Sequence, residues 1–378
     1  MARWILAFGM CVYGATAGTA AANEADAGVD NAAARARLAE WVPVGHADNN
    51  SCARGLAAVL EFLGHDVDYD TIMGDSGQAF IAQGEEDSTN LIDGAVDVGW
   101  WPLEPVGMTI RLDFLEKAVG RELRDVLPSH EAGGYVAYRD DPAAYYRKWL
   151  APVVDDSLSR GMPGIAQHGT WFVVTDVDDG DPPVIGAWAC GAEREIVRLT
   201  DGYPYNLLVP GDTTRQLDRT TADAEALRYA VALHRDEVLA PSTPDGSRYT
   251  VRHAEYGERW RTGVKTYAAW IEALEDAENL GQARWHRNVV YQLGINRRSA
   301  IRYLDAMSER HPESVATHLG AAARSYEAVV RALEGVDLSE DAIASAAGRG
   351  ALAGVIEEIV ELESQAAAEM ESAAQALN

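Results

Sequence analysis

Apolar positions divide the chain into two unlike regions. Between Trp41 and about Asp212 they fall in short clusters with changing period. Residues 52–63 (CARGLAAVLEFL) repeat apolar side chains at helical spacing, which predicts a helix closed by Gly64. Two later runs, 171–177 (WFVVTDV) and 184–188 (VIGAW), are short and nearly continuous, the pattern of buried strands. The DDGDPP between them is rich in turn formers and predicts a hairpin. Beyond Arg215 the period becomes helical throughout. Residues 219–236 open on Thr220 and Thr221 and run as one helix. A polar gap with Pro241 and Pro244 follows, then four or five helical segments across 263–378. No fixed-period repeat joins them, so a small bundle is expected rather than a solenoid. The fold class expected is α+β. The organisation is a leader at 1–22, a linker at 23–44, a mixed domain at 45–215 and a helical region at 216–378.

The leader reading rests on one arginine, an apolar run from Trp4 to about Tyr13, and small residues ending in Ala20-Ala21-Ala22. It predicts export, to the periplasm or outside the cell, with cleavage near Ala22. No other stretch approaches about 18 apolar residues, so no membrane span is expected. Composition is that of a globular protein, 47% hydrophobic and 24% charged. Acidic residues outnumber basic ones 59 to 32, a net charge of −27. That field repels phosphate backbones and anionic lipid, which excludes a broad nucleic-acid surface.

Three cysteines are present, Cys11, Cys52 and Cys190, and Cys11 leaves with the leader. No CxxC pair suggests zinc, and no cofactor is expected. Gly74-Asp75-Ser76-Gly77 has the look of a serine-protease string but follows a helix and reads as a tight turn. Asp176–Asp181 is acid-rich, yet its glycine falls fifth and prolines interrupt it, so a solvated turn is expected rather than a calcium loop. Cys52 is the residue with the best chemical setting. It opens the predicted helix, where free backbone amides and the helix dipole favour a thiolate. The other readings at this position are a buried structural cysteine and a disulfide with Cys190. His65 reads as a residue of the helix end, and His286 as part of a packed helix face.

The run DNNSCARGLAAVLEFLGH resembles the nucleophile helix of the bacteriocin-processing (double-glycine-leader) cysteine peptidase-like family, within the papain-like superfamily. Met73–Phe80, GMPGIAQHGTWFVVTDVDDG and KTYAAWIEAL resemble, in the same order, segments of a poorly characterised branch related to the butirosin acyltransferase N-terminal domain. The resemblance covers roughly residues 45–310. It implies a papain-like domain, with a helix carrying Cys52 on a small antiparallel sheet, followed by a helical bundle. It further implies a thioester mechanism on a peptide or small-molecule acyl substrate. In that mechanism His168 takes the thiol proton, Cys52 attacks a carbonyl, and Asn49 or Asn50 helps stabilise the oxyanion. The sequence departs from the family at several places. His46 stands where a glutamine is expected, Thr170 falls at the family's histidine position, and the strand VIGAWAC lacks an acid or amide. Asp176, Asp178 or Asp181 would have to complete a triad. A second reading follows from these departures: a non-catalytic member of the fold that binds a peptide or small ligand in the old cleft.

Overall fold

The computed structural model describes residues 36–38, 40–41, 50–85, 96–97, 111–126, 137–138, 140–189, 195–200, 202–238, 260–275 and 283–377. The leader, most of the linker, His46, Asn49 and Cys190 lie outside these residues.

Helix α1 (Ser51–Phe62) begins at Asn50, whose Oδ1 accepts the Ala53 N–H at 3.1 Å. It ends where Gly64 takes a φ of 88° and the His65 N–H donates to the Leu60 carbonyl at 3.0 Å. Helix α2 (Tyr69–Asp75) follows, capped by Asp68, and then helix α3 (Leu112–Val119). Strands β1 (Gln83–Glu85), β2 (Val96–Asp97) and the later β9 (Trp260–Thr262) form a small antiparallel sheet.

The main sheet has six antiparallel strands in the order β3-β8-β4-β5-β6-β7. They are β3 (Arg121–Val126), β4 (Gly164–His168), β5 (Thr170–Val177), β6 (Val184–Trp188), β7 (Val197–Arg198) and β8 (Asn206–Thr213). Both predicted strands are present and form the predicted hairpin. Its turn is held by Asp178, which accepts the Gly180 N–H at 2.7 Å and pairs with Arg198. A helical segment crosses the sheet: α4 (Pro142–Tyr145), a π turn at Tyr146–Leu150, and α5 (Ala151–Ser159).

Successive side chains of a strand point to opposite faces. Ile165, Trp171, Val173, Leu208 and Leu123 join one apolar cluster with α1. Ala166, Phe172, Val174, Leu207 and Val209 join another with Tyr145, Tyr146 and Leu150 on the opposite face. Gly55 lets α1 lie close to the sheet, since a Cβ there would meet Ile165 Cγ2 at 2.9 Å. Leu56, Val59 and Leu60 are buried by this packing. Each fully buried aliphatic side chain contributes about 1.5–3 kcal/mol, more than local helix propensity supplies.

The remaining helices are α6 (Arg219–His234), α7 (Gly263–Glu275), α8 (Ala283–Glu309), α9 (Glu313–Glu334), α10 (Glu340–Ala344) and α11 (Ala346–Ala376). The N-cap of α6 is Asp218, accepting the Thr221 N–H at 2.9 Å. The cluster that contains α1 continues through Ala226, Tyr303, Leu319 and Met370, so one apolar core crosses residue 215.

The segment Met73–Phe80 is where the mixed and helical regions interlock. The Asp75 carboxylate accepts from Tyr303 at 2.6 Å and from Arg219 at 2.5 and 2.7 Å. The Ala79 and Ile81 carbonyls accept from Arg297 at 2.8 and 3.2 Å. Arg297 is fully buried against Glu363, and Tyr267 bridges them. Gly74-Asp75-Ser76-Gly77 is thus the end of α2 and a turn, with Gly77 at φ 81°.

Candidate functional site

Cys52 sits in the first turn of α1 and is 6% exposed. Three contacts fix the start of this helix. Asn50 caps it, the Asn50 N–H donates to the Tyr69 hydroxyl at 3.0 Å, and the Trp171 N–H donates to Ser51 Oγ at 3.2 Å. The last contact seats the helix start on the first residues of β5.

A helix N-terminus favours a thiolate, but burial opposes it. Here burial pushes the Cys52 thiol well above its ordinary value, and the nearby Asp125 carboxylate raises it further. Asp125 belongs to β3 and is registered against Leu208, on the face that α1 covers. The local field therefore holds Cys52 as a neutral thiol.

The expected partner of Cys52 is placed by the pleat. Ile165 touches Gly55 on the α1 face, Ala166 belongs to the opposite face, and so does His168 by alternation. Thr170, registered against His168, shares that opposite face with Phe172. The His168 ring lies along the 202–203 backbone, with Nδ1 3.1 Å from the Tyr203 carbonyl. The residue that β5 turns toward α1 at this level is Trp171, not Thr170. Just past the end of the neighbouring strand β6, Ala189 donates its N–H to the Trp171 carbonyl at 3.0 Å and packs toward Gly55. Asp178 is held by Arg198 at the far end of the hairpin, and its pKa is lowered first by that hydrogen bond and next by the Gly180 N–H, with desolvation acting against both. The structure thus brings Cys52, Asn50, Ser51 and Asp125 together and sets His168 and Thr170 on the other side of the sheet.

Two residues that sequence reasoning missed complete the Cys52 side. Gln167 and Asn206 are registered opposite each other on β4 and β8, and Gln167 is also opposite Trp171. By alternation both point to the α1 face. Each is 1% exposed. Asn206 Nδ2 donates to Gln167 Oε1 at 2.7 Å. Gln167 Nε2 and Asn206 Oδ1 are buried and have no hydrogen-bond partner among the described residues. The available signal was a polar residue at a core-facing position of a buried strand, one step of two from Ile165 and from Leu208.

His65 and His286 are engaged within the fold, as the sequence pattern suggests. His65 Nε2 accepts from Arg121 at 2.8 Å, and buried His286 accepts the Trp270 indole N–H at 3.2 Å while stacking on its ring. Among the described residues no group of three or more His, Cys, Asp or Glu side chains is placed to hold a metal. None of the described helices is long and apolar enough to cross a membrane. No protein-family model matches the chain, and no curated protein matches it.

Proposed function

We propose that this protein is a non-catalytic member of the papain-like superfamily that binds a peptide or small ligand beside Cys52. The observation that carries the reading is the strand register, which sets His168 on the sheet face opposite the Cys52 helix. Thiol catalysis needs a base at the sulfur and an environment that favours the thiolate. Burial and Asp125 favour the neutral thiol instead. Thr170, which falls at the family's histidine position, lies on the face away from α1, and the side chains that reach α1 at this level are Trp171 and Ala189. An acyl transfer through Cys52 is therefore the weaker reading, although α1 keeps the nucleophile-helix layout. Binding is supported by the Gln167–Asn206 pair, which carries hydrogen-bonding capacity unused by the described residues.

The test is alkylation of Cys52 by iodoacetamide against pH, in wild type and in His168→Ala. Slow alkylation that rises only above about pH 9, unchanged in the variant, is the expected result. A thiolate already formed near neutral pH and lost in His168→Ala would restore the enzyme. The leader pattern at residues 1–22 supports an exported protein, which the N-terminal sequence of the mature chain will check.

A further inference from the structure

From the Gln167–Asn206 pair we infer the chemical class of the ligand: a neutral amide, presenting a carbonyl oxygen and an N–H. The inference rests on the non-catalytic reading above, because it assigns a recognition role to polar groups on the sheet face that α1 covers.

A side-chain amide carries one acceptor oxygen and a donor nitrogen. When two such groups share one hydrogen bond, each keeps its other atom. Here the kept atoms are Gln167 Nε2, a donor, and Asn206 Oδ1, an acceptor. Oxygen and nitrogen of such amides are assigned from their contacts, so the reverse orientation matters. Turning both groups over keeps the shared bond and leaves Gln167 an acceptor and Asn206 a donor. Turning one alone sets like atoms against each other. In either allowed arrangement the pair offers one donor and one acceptor.

A donor beside an acceptor in one buried pair selects among carbonyl-bearing ligands. A primary carboxamide or a peptide amide satisfies both atoms. An ester supplies an acceptor alone, leaving the buried acceptor of the pair unanswered. A carboxylate also lacks the N–H, and it meets the Asp125 charge that already acts on Cys52. An ammonium group lacks the acceptor. Polar atoms buried at this depth are normally satisfied, which is why one unmatched partner is discriminated strongly. The apolar wall is Trp171, registered against Gln167, and the thiol of Cys52 lies at the start of the helix seated on that tryptophan.

The test uses the full chain labelled with 15N. The side-chain NH2 signals of Gln167 and Asn206 are assigned by their loss in Gln167→Met and Asn206→Leu. Propionamide, methyl propionate and propionate are then titrated in turn. Saturable shifts of both NH2 signals with propionamide are expected, with methyl propionate weaker by about tenfold or more and propionate without effect. The double variant Gln167→Met/Asn206→Leu should lose propionamide binding, while Cys52→Ala retains it. Three results would overturn the assignment. The first is equal binding of amide and ester. The second is propionamide binding that survives in a folded double variant. The third is NH2 signals that ignore propionamide and show contacts to a long-lived water only. The Cys52 alkylation profile of the same samples separates the two readings. A neutral thiol with no amide selectivity sinks the ligand assignment alone, whereas a thiolate at neutral pH sinks the non-catalytic reading itself.

Discussion

Arg297→Met should be among the most damaging single changes in the helical region. The guanidinium is fully buried. Its Nε donates to Glu363 Oε1 at 2.5 Å and its Nη2 to Glu363 Oε2 at 3.1 Å. Nη1 serves the carbonyls of Ala79 and Ile81. Methionine fills much of the volume but leaves the Glu363 carboxylate, 2% exposed, without its counter-charge. Breaking a buried ion pair from one side costs about 3–5 kcal/mol, whereas replacing both partners by apolar groups is often close to neutral. The double variant Arg297→Met/Glu363→Met keeps the penalties of the neutral groups, the two carbonyls stripped of a donor and the Tyr267 hydroxyl stripped of both these partners, at about 1–3 kcal/mol each, but no unpaired charge. It should therefore be more stable than Arg297→Met alone. Urea unfolding followed by tryptophan fluorescence measures this. With a slope of about 3 kcal/mol per molar, the single variant shifts the midpoint down by about 1 M or more. A loss under about 1 kcal/mol for Arg297→Met would refute the reasoning. So would a double variant whose loss equals the sum of the two singles, since the groups would then be uncoupled.

Two further outcomes follow from the same interlock. Gly74→Ala would place a Cβ 2.2 Å from the buried Tyr303 ring, whose hydroxyl is held by Asp75. A loss of about 1–3 kcal/mol in thermal unfolding is expected, while Gly350→Ala, with nothing within 4 Å, should be neutral or stabilising. Equal effects at the two glycines would contradict the packing argument. The pH dependence draws in part on His234, which lies on Ser364 at 3.0 Å. Burial lowers its pKa below the ordinary 6.5, with Glu363 acting against that and Arg297 with it. A lowered folded pKa means that the unfolded chain binds the proton first. The contribution of neutral His234 is therefore complete above about pH 6.5 and is lost as pH falls toward the folded pKa. His234→Gln should flatten the loss of stability between about pH 7 and pH 5. An unchanged slope in that variant would assign the acid limb to other groups.

Local pattern was enough to locate α1, the β5–β6 hairpin, α6 and the helical region. In α1 the apolar period matches the face that becomes buried, β5 and α6 are buried on more than one side, and Asn50, Asp218 or Gly64 marks an end through short-range hydrogen bonds. Strands β3 and β8 were not legible in the same way. Arg121–Val126 alternates charged residues with one buried leucine, and Asn206–Thr213 carries Pro210 and Gly211, so neither has the composition of a strand. Both are strands because the sheet offers backbone partners, a long-range term that no local window contains.

The candidate site divides along the same line. Sequence alone put Cys52 at the start of a helix, because capping and helical period are properties of neighbouring residues. It could not set the field at the sulfur, which depends on how deeply α1 is buried and on Asp125, 73 positions away in the chain numbering. Nor could it choose between Gln167 and His168. They are adjacent in the chain, and a shift of one residue in register exchanges the two faces of a strand. Only the pairing of β4 with β5 and β8 decides that the amide of Gln167, and not the imidazole of His168, stands on the side of Cys52.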